Sequence, residues 1–220
     1  MIKGLVLDLD GVIADTAEYH YLAWKWLGEQ LGIQIDREFN EQLKGISRLE
    51  SLELILTHGQ LNDAFSEVEK NNLAAKKNDV YKKYISEIVP TDILPGINDL
   101  LSEAKVRGLK LSIASASMNA PDILKNLKVD MYFDAIVNPA SLKHGKPDPE
   151  IFIKAAQLLG LSPEQCIGIE DAEAGIEAIN GAGMFSVGVG AEILMKNADF
   201  FVAETNYLNL GDLLSQVGKC

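Results

Sequence analysis

The sequence IKGLVLDLDGVIADT, residues 2–16, joins an apolar run to two carboxylates that lie two positions apart. The run Leu5, Val6 and Leu7 is short and continuous, which is typical of a strand buried on both faces. Asp8 and Asp10 follow it, and residues two apart in extended chain share one face. Neighbouring carboxylates repel each other unless a cation or a shared proton lies between them. The stretch therefore predicts a buried strand that ends at an ionic site.

Strand-like segments alternate with amphipathic helical patterns along most of the chain. Strands are predicted at residues 4–9, 109–115, 135–137, 166–170, 185–189 and 200–202. Helices are predicted near residues 97–107, 149–159, 173–181 and 207–217. This alternation is typical of an α/β fold, in which helices cover both faces of a Rossmann-like parallel sheet. We expect that fold class.

Residues 16–92 break the alternation. They carry helical periodicity with hardly a strand, and they contain both tryptophans, Trp24 and Trp26. The simplest interpretation is a helical insert between the first strand and the rest of the sheet. We predict an α/β catalytic core of residues 1–15 and 93–220 and a helical cap domain of residues 16–92, with hinges near residues 13–16 and 90–95.

The composition limits the partners of the protein. Among 220 residues, 20 Lys and Arg face 32 Asp and Glu, for a formal net charge of -12. Such a surface repels phosphate backbones, which argues against nucleic-acid and membrane partners. Cys166 and Cys220 lack a metal-type spacing, and no segment resembles a signal peptide or a membrane span. We expect free thiols, a cytoplasmic location, and a monomer that acts on a small molecule.

A second acidic pair, Glu170 and Asp171, ends the strand in CIGIEDAEAG, residues 166–175. Ligands of parallel sheets bind at the carboxyl ends of the strands, where the two acidic pairs can meet. Carboxylate oxygens suit a hard cation such as Mg²⁺. The structural alternative for Asp171 is that it caps the following helix.

Four motifs together resemble those of the haloacid dehalogenase superfamily. They are DLDGV at residues 8–12, Ser115 after an apolar run, KPDP at residues 146–149, and GIED at residues 168–171. The resemblance implies phosphoryl transfer through an aspartyl phosphate on Asp8, with Asp10 as general acid and base. It also implies that Ser115 and Lys146 bind the transferring phosphoryl group. The implied Mg²⁺ ligands are Asp8, the carbonyl of Asp10, Glu170 and Asp171.

The helical insert is similar to that of the glucose-phosphate mutases within this superfamily, and the similarity runs essentially end to end. It implies that Arg48 binds the phosphate that is not transferred, facing Ser117 and Asn119. Thr16 and His20 would hold Asp10 inactive until the cap closes. The full set of implied substrate-binding residues is Thr16, His20, Lys44, Gly45, Ser47, Arg48, Lys77, Ala116, Ser117 and Asn119.

Several of these residues have structural alternatives. Lys146 can be a solvated lysine, and Ser115 a buried hydroxyl that the main chain satisfies. Ser47 begins the capping-box pattern SRLE, residues 47–50. His20 can be simply packed on its helix, and we interpret Trp24 as a core residue.

One position departs from the mutase pattern, which often has lysine where this chain has Met118. Arg48 then carries more of the distal phosphate's charge, or the preferred sugar differs.

The resemblance implies an intramolecular phosphotransferase that interconverts β-D-glucose 1-phosphate and D-glucose 6-phosphate. β-D-glucose 1,6-bisphosphate would be its priming intermediate and Mg²⁺ its cofactor. The anomer preference comes only from the resemblance. The alternatives are a magnesium-dependent phosphatase of small sugar phosphates, in which water reaches the aspartyl phosphate, and a binding module without enzymatic activity.

Overall fold

The apolar segments form one parallel sheet in the computed structural model, which describes residues 1–217. Within that range the sheet has six strands in the spatial order β3-β2-β1-β4-β5-β6, and every neighbouring pair is parallel. The strands are β1 Gly4–Leu7, β2 Lys110–Ile113, β3 Ala135–Ile136, β4 Cys166–Glu170, β5 Phe185–Val189 and β6 Phe200–Val202. The α/β fold class is confirmed.

Helices connect the strands. Between β1 and β2 the chain forms α1 Ala17–Leu31, α2 Arg37–Glu41, α3 Arg48–His58, α4 Glu67–Ile85 and α5 Ile97–Val106. The later helices are α6 Ala120–Asn126, α7 Glu150–Leu158, α8 Glu173–Ala182 and α9 Leu210–Val217. Short 3-10 helices lie at Pro90–Asp92, Asp130–Tyr132, Pro139–Ser141, Pro163–Gln165 and Thr205–Tyr207.

Helices α1 to α4 pack around an apolar cluster of their own, which includes Trp24, Leu27, Leu52 and Ile55. Capping boxes at Ser47 and Ser66 begin α3 and α4, because each serine bonds the main chain three residues later and a glutamate bonds back. We propose that these helices form the cap domain.

The position of β1 decides where the acidic residues meet. β1 pairs with β2 on one side and β4 on the other, so that Leu7 lies opposite both Ile113 and Ile169. Asp8 and Glu170 therefore lie at the carboxyl ends of adjacent strands. Burial of the sheet on both faces explains its continuous apolar segments.

Some predicted boundaries were wrong. β1 ends at Leu7 rather than residue 9, because the chain turns where Gly11 has a φ of 77°. Helix α6 was missed because its seven residues are too few to establish a periodicity. Helix α9 begins at Leu210 because residues 205–207 form a 3-10 turn.

None of the helices within residues 1–217 combines the length and the apolar character needed to cross a membrane. Cys166 is a buried free cysteine. The expectation of a free thiol at Cys220 concerns a residue that lies outside the described residues.

Candidate active site

The carboxyl ends of β1 and β4 hold a buried ionic triad. The Lys146 ammonium lies 2.7 Å from Asp8 Oδ1 and 2.8 Å from Glu170 Oε2, and all three residues are buried. Burial opposes the charged form of Lys146, but the two carboxylates outweigh it and raise the pKa of Lys146. The alternative of a solvated lysine is therefore wrong.

Three carboxylates can hold a divalent cation beside this triad. Oxygens of Asp8, Glu170 and Asp171 lie within 4.8 Å of one another. Glu170 Oε1 is buried with no hydrogen-bond partner among residues 1–217, so it remains available as a ligand. Burial and then the charge of Asp8 raise the pKa of Asp171 to about 7, which a bound cation would reverse. The residues therefore fit a divalent metal ion.

Glycines let these carboxylates approach the main chain. A Cβ atom on Gly11 would overlap Asp171, and Gly11 also has a φ of 77° that other residues rarely adopt. A Cβ atom on Gly175 would overlap Glu170. The main-chain N-cap of α8 is Ala172, without a side-chain cap. The proposed capping role of Asp171 is therefore wrong.

The Asp10 carboxylate is bound by residues at the start of α1. The Thr16 hydroxyl donates to Asp10 Oδ1, and His20 Nε2 lies 3.8 Å from the same oxygen. Burial and then the charge of Asp8 raise the pKa of Asp10 to about 6, which suits a group that donates and accepts a proton near neutral pH. The Asp10 side chain is not part of the carboxylate group described above. A metal contact through its carbonyl stays a prediction.

Lys77 is a buried cation on the cap side of the site. Its ammonium lies 2.8 Å from His20 Nδ1 and above the rings of Trp24 and Tyr81, at 4.4 and 4.9 Å. Among residues 1–217 no carboxylate forms an ion pair with it. Burial and then the charge of Arg48 lower the pKa of Lys77 to about 7. An anionic ligand would favour its charged form.

We expect Lys77→Met to stabilise the ligand-free protein in a pH-dependent manner. Unfolded lysine titrates near 10.5 and Lys77 near 7, so the unfolded chain binds the extra proton between these values. The penalty for burying the charge is complete below pH 7 and decreases as the pH rises toward 10.5. At pH 6, Lys77→Met should therefore raise the free energy of unfolding by a few kcal/mol, the order of magnitude that the lowered pKa of Lys77 implies.

Urea unfolding at pH 6 and pH 10 measures this difference. The gain of Lys77→Met over the wild type should shrink at pH 10, whereas Lys76→Met, at an exposed neighbour on α4, should show little change at either pH. An equal gain at both pH values would contradict the assignment to Lys77 ionisation.

Arg48 is a second cation on the cap side of the site. It begins α3 and is half-buried, and its side chain forms no ion pair or hydrogen bond within residues 1–217, although the charge of Asp79 favours its charged form. Burial lowers its pKa. On the core side, Asn119 Nδ2 donates to Asn78 Oδ1 of α4 at 3.0 Å, which links the core to the cap.

One cavity lies between the core and the cap. Predicted site residues that line it are Asp8, Asp10, His20, Lys44, Gly45, Arg48, Lys77, Ala116, Ser117, Asn119 and Asp171. The remaining predicted residues do not line this cavity. They are Thr16, Ser47, Ser115, Lys146 and Glu170.

Two serines of the predicted site have structural partners. The Ser115 hydroxyl accepts a hydrogen bond from the Ser117 main chain at 3.0 Å. The Ser47 hydroxyl accepts from the Glu50 main chain at 3.3 Å, as its capping-box alternative predicted. Substrate contacts of both serines stay predictions.

The sequence analysis missed part of the lining. The missed residues are Ala17, Trp24, Asn40, Leu43, Ile46, Ser51 and Asn78. Trp24 belongs to the cap's apolar cluster, as predicted, but it also lines the cavity. Asn78 and Ser51 could have been found from their positions beside Lys77 and one helical turn after Arg48.

The parallel sheet carries a lysine and three carboxylates at its carboxyl edge, and the helices that cover this edge supply further cations. Such a site defines a phosphate-handling enzyme of the α/β class. The sequence model of one protein family, the haloacid dehalogenase-like hydrolases, matches residues 2–183 of this chain. The chain belongs to that family.

The chain is similar to two β-phosphoglucomutases and to one sugar-phosphate phosphatase. The chain is 52% identical over 209 residues to the β-phosphoglucomutase of Bacillus subtilis (strain 168), covering 95% of this chain and 92% of that protein. It superposes on the crystal structure of the β-phosphoglucomutase from Clostridium difficile with a TM-score of 0.98 and 48% identity, over 100% of this chain and 98% of that one. It is 33% identical to the fructose-1-phosphate phosphatase of Escherichia coli (strain K12), over 84% of this chain and 95% of that protein.

Proposed function

We propose that this protein is a β-phosphoglucomutase, which interconverts β-D-glucose 1-phosphate and D-glucose 6-phosphate. The observation that carries the proposal is the distribution of charge around the cavity. Carboxylates and Lys146 lie on the core side, while the cap presents Arg48 and Lys77, neither of which forms an ion pair within residues 1–217. A ligand with a phosphate at each end complements both sides. A phosphatase needs only the core side.

Asp8 is the proposed nucleophile. Its Oδ1 is held by Lys146, and its Oδ2 accepts the main-chain N–H of Asp10 at 3.1 Å. These bonds fix the carboxylate at the end of β1, where it can attack the phosphorus atom of a bound phosphate. Lys146 then neutralises part of the charge on the transferring group, and Ser115 lies at the end of the adjacent strand to bind its oxygens.

Mg²⁺ held by Asp8, Glu170 and Asp171 would offset the repulsion between an anionic nucleophile and an anionic phosphate. The buried Glu170 Oε1 supports this ligand set. The chain's own residues supply the remaining chemistry.

Asp10 moves the proton. It protonates the sugar oxygen that leaves when Asp8 is phosphorylated, and it removes a proton from the sugar hydroxyl that attacks the phosphoenzyme. Its carboxylate is held by Thr16 in the present geometry. Release of Asp10 would accompany substrate binding, which favours a sugar hydroxyl over water as the acceptor.

Arg48 and Lys77 bind the other phosphate. When the phosphoenzyme has phosphorylated the sugar hydroxyl, the intermediate is β-D-glucose 1,6-bisphosphate. This bisphosphate must turn so that its other phosphate, which was not the one just transferred, faces Asp8. The cations on the cap side can bind either phosphate of the bisphosphate while it turns, because the two phosphate groups are dianions of the same shape. Met118, which is 49% exposed, adds no charge there.

The test incubates the protein with Mg²⁺, β-glucose 1-phosphate and a trace of β-glucose 1,6-bisphosphate, and follows glucose 6-phosphate and free phosphate together. We expect glucose 6-phosphate with little free phosphate, and no product from the α anomer. Mainly free phosphate would instead identify a sugar phosphatase, a function that the resemblance to the Escherichia coli phosphatase makes the second candidate.

Arg48→Ala should separate the two phosphate sites. Loss of a guanidinium that binds a phosphate should raise the KM for β-glucose 1-phosphate about 100-fold. Phosphorylation of Asp8 by acetyl phosphate, which has no distal phosphate, should stay within about threefold of the wild type.

Arg107→Ala, at an exposed arginine paired with Glu103, serves as the control and should change neither rate. Equal losses in both reactions of Arg48→Ala would place this side chain at the core site instead.

A further inference from the structure

Asn40 carries a buried side-chain amide that the mechanism above does not use. The residue is 8% exposed and lines the cavity between the core and the cap. Its main-chain N–H donates to the Asp36 carbonyl at 3.1 Å, and its carbonyl accepts from the Leu43 main chain at 3.0 Å. The side-chain amide forms no hydrogen bond within residues 1–217. A buried amide without a partner is unfavourable, so its presence calls for an explanation.

The face of the chain that carries Asn40 is turned toward the cavity. Leu43 and Lys44 follow it by three and four positions, in a helical turn that continues α2, and both also line the cavity. Residues at this spacing share one face of a helix. Leu43 and Trp24, which lines the same cavity, belong to the cap's apolar cluster. Asn40 is thus a polar group on the cap wall beside apolar side chains.

The Asn40 amide is also within reach of a small molecule. Among residues 1–217, the side-chain polar atoms that are both completely enclosed and unpaired belong to His20, Tyr81, Ser112 and Glu170. The unpaired amide atoms of Asn40 are not in that group, so they are not sealed inside the protein. Water can bond such an amide in the free protein, and a polar group of a ligand can take its place.

The other neutral polar groups of the cap wall are already bonded. Ser51 donates its one hydroxyl hydrogen to the Ser47 carbonyl at 3.0 Å. Asn78 and Asn119, the other two side-chain amides that line the cavity within residues 1–217, are bonded to each other. Asn40 therefore differs from them in that both its donor and its acceptor are free.

This pair of free groups suits a hydroxyl better than a phosphate. A sugar hydroxyl both donates and accepts, so it can bond either the amide oxygen or the amide nitrogen. A phosphate dianion only accepts, and it would bring its charge close to the amide oxygen. The phosphates of the ligand have Arg48, Lys77 and Lys146 as partners, whereas its ring hydroxyls need neutral ones.

We propose that Asn40 binds a ring hydroxyl of the glucose unit and so contributes to recognition of the sugar rather than of its phosphates. This inference rests on the proposed function, in which a phosphorylated hexose occupies the cavity. It assigns the ring hydroxyls at carbons 2, 3 and 4 as the candidates, because the groups at carbons 1 and 6 carry or receive phosphate.

Asn40→Ala combined with deoxy substrates tests the proposal. We expect the variant to lower kcat/KM for β-glucose 1-phosphate about tenfold, the effect of one lost hydrogen bond. The 2-deoxy, 3-deoxy and 4-deoxy forms of β-glucose 1-phosphate are then compared on both proteins. With at least one of them the difference between wild type and variant should shrink to less than about twofold, because the hydroxyl that Asn40 binds is missing. A tenfold difference that persists with all three, or no difference with β-glucose 1-phosphate, would overturn the proposal.

Two controls separate recognition of the sugar from a structural effect. Phosphorylation of Asp8 by acetyl phosphate, which has no ring hydroxyl, should stay within about twofold of the wild type in Asn40→Ala, and an equal loss there would overturn the proposal. Asn72→Ala, at an exposed asparagine of α4, should leave every rate unchanged. Asn40→Leu keeps the branched shape without the polar atoms, and it provides the same comparison if Asn40→Ala does not fold.

Failure of the proposed function gives a different result. If the wild type releases phosphate instead of forming glucose 6-phosphate, the mutase proposal fails, and the same deoxy comparison applied to phosphate release still tests Asn40. If it converts neither, the comparison uses the Kd of glucose 6-phosphate and of its 2-deoxy, 3-deoxy and 4-deoxy forms, measured by titration calorimetry. A Kd that Asn40→Ala leaves unchanged would then overturn the inference.

Discussion

Asp8→Asn is expected to abolish mutase activity, with a loss of about ten thousand-fold or more. An amide has no anionic oxygen to attack phosphorus, so no phosphoenzyme can form. The substitution also removes one of the two carboxylates that hold Lys146, which leaves the ammonium with Glu170 alone.

Two measurements follow this loss. One is the rate of glucose 6-phosphate formation, and the other is incorporation of phosphate from β-glucose 1,6-bisphosphate into the protein. Asp15→Asn, at an exposed residue of the same segment, should retain both. Persistent phosphorylation of Asp8→Asn at the wild-type rate would show that another residue is the nucleophile.

Lys146→Met is expected to lower phosphoenzyme formation by about a thousand-fold and to destabilise the metal-free protein by about 3 kcal/mol. Methionine fills much of the space but leaves Asp8 and Glu170 facing each other without the cation that lies 2.7 and 2.8 Å from them. A divalent cation should restore part of the stability, because it compensates the same two carboxylates, but not the contact of the ammonium with the transferring phosphate.

Phosphoenzyme formation and chemical unfolding with and without Mg²⁺ measure both effects. Lys143→Met, at an exposed lysine of the same loop, is the matched control and should leave both unchanged. A stable but inactive Lys146→Met without Mg²⁺ would mean that the triad contributes less to folding than its burial indicates. Full activity would contradict the role of Lys146.

The core of the site could be predicted because its residues follow strands. The continuous apolar segments before Asp8 and within residues 166–170 predicted buried parallel strands, and their carboxyl ends meet at one edge of the sheet. Local chain geometry therefore placed the acidic pairs. The family resemblance then supplied the roles of Lys146 and Ser115, which their own spacing does not reveal.

The cap side was harder to predict. Asn78 was missed because it is on α4, whose sequence resembles an ordinary polar helix. Trp24 was interpreted correctly as a core residue, yet it also lines the cavity. A periodic pattern tells which face of a helix is buried, but it does not tell which other element covers that face.

The sequence by itself determined the α/β class, the helical character of residues 16–92 and the acidic residues at the strand ends, because these depend on contacts between neighbours along the chain. Only the tertiary structure decided that Lys146 lies between Asp8 and Glu170, and that Lys77 and Arg48 line the cavity without forming an ion pair within residues 1–217. These features join residues far apart in sequence, and burial changes their charges in ways that depend on every element packed around them.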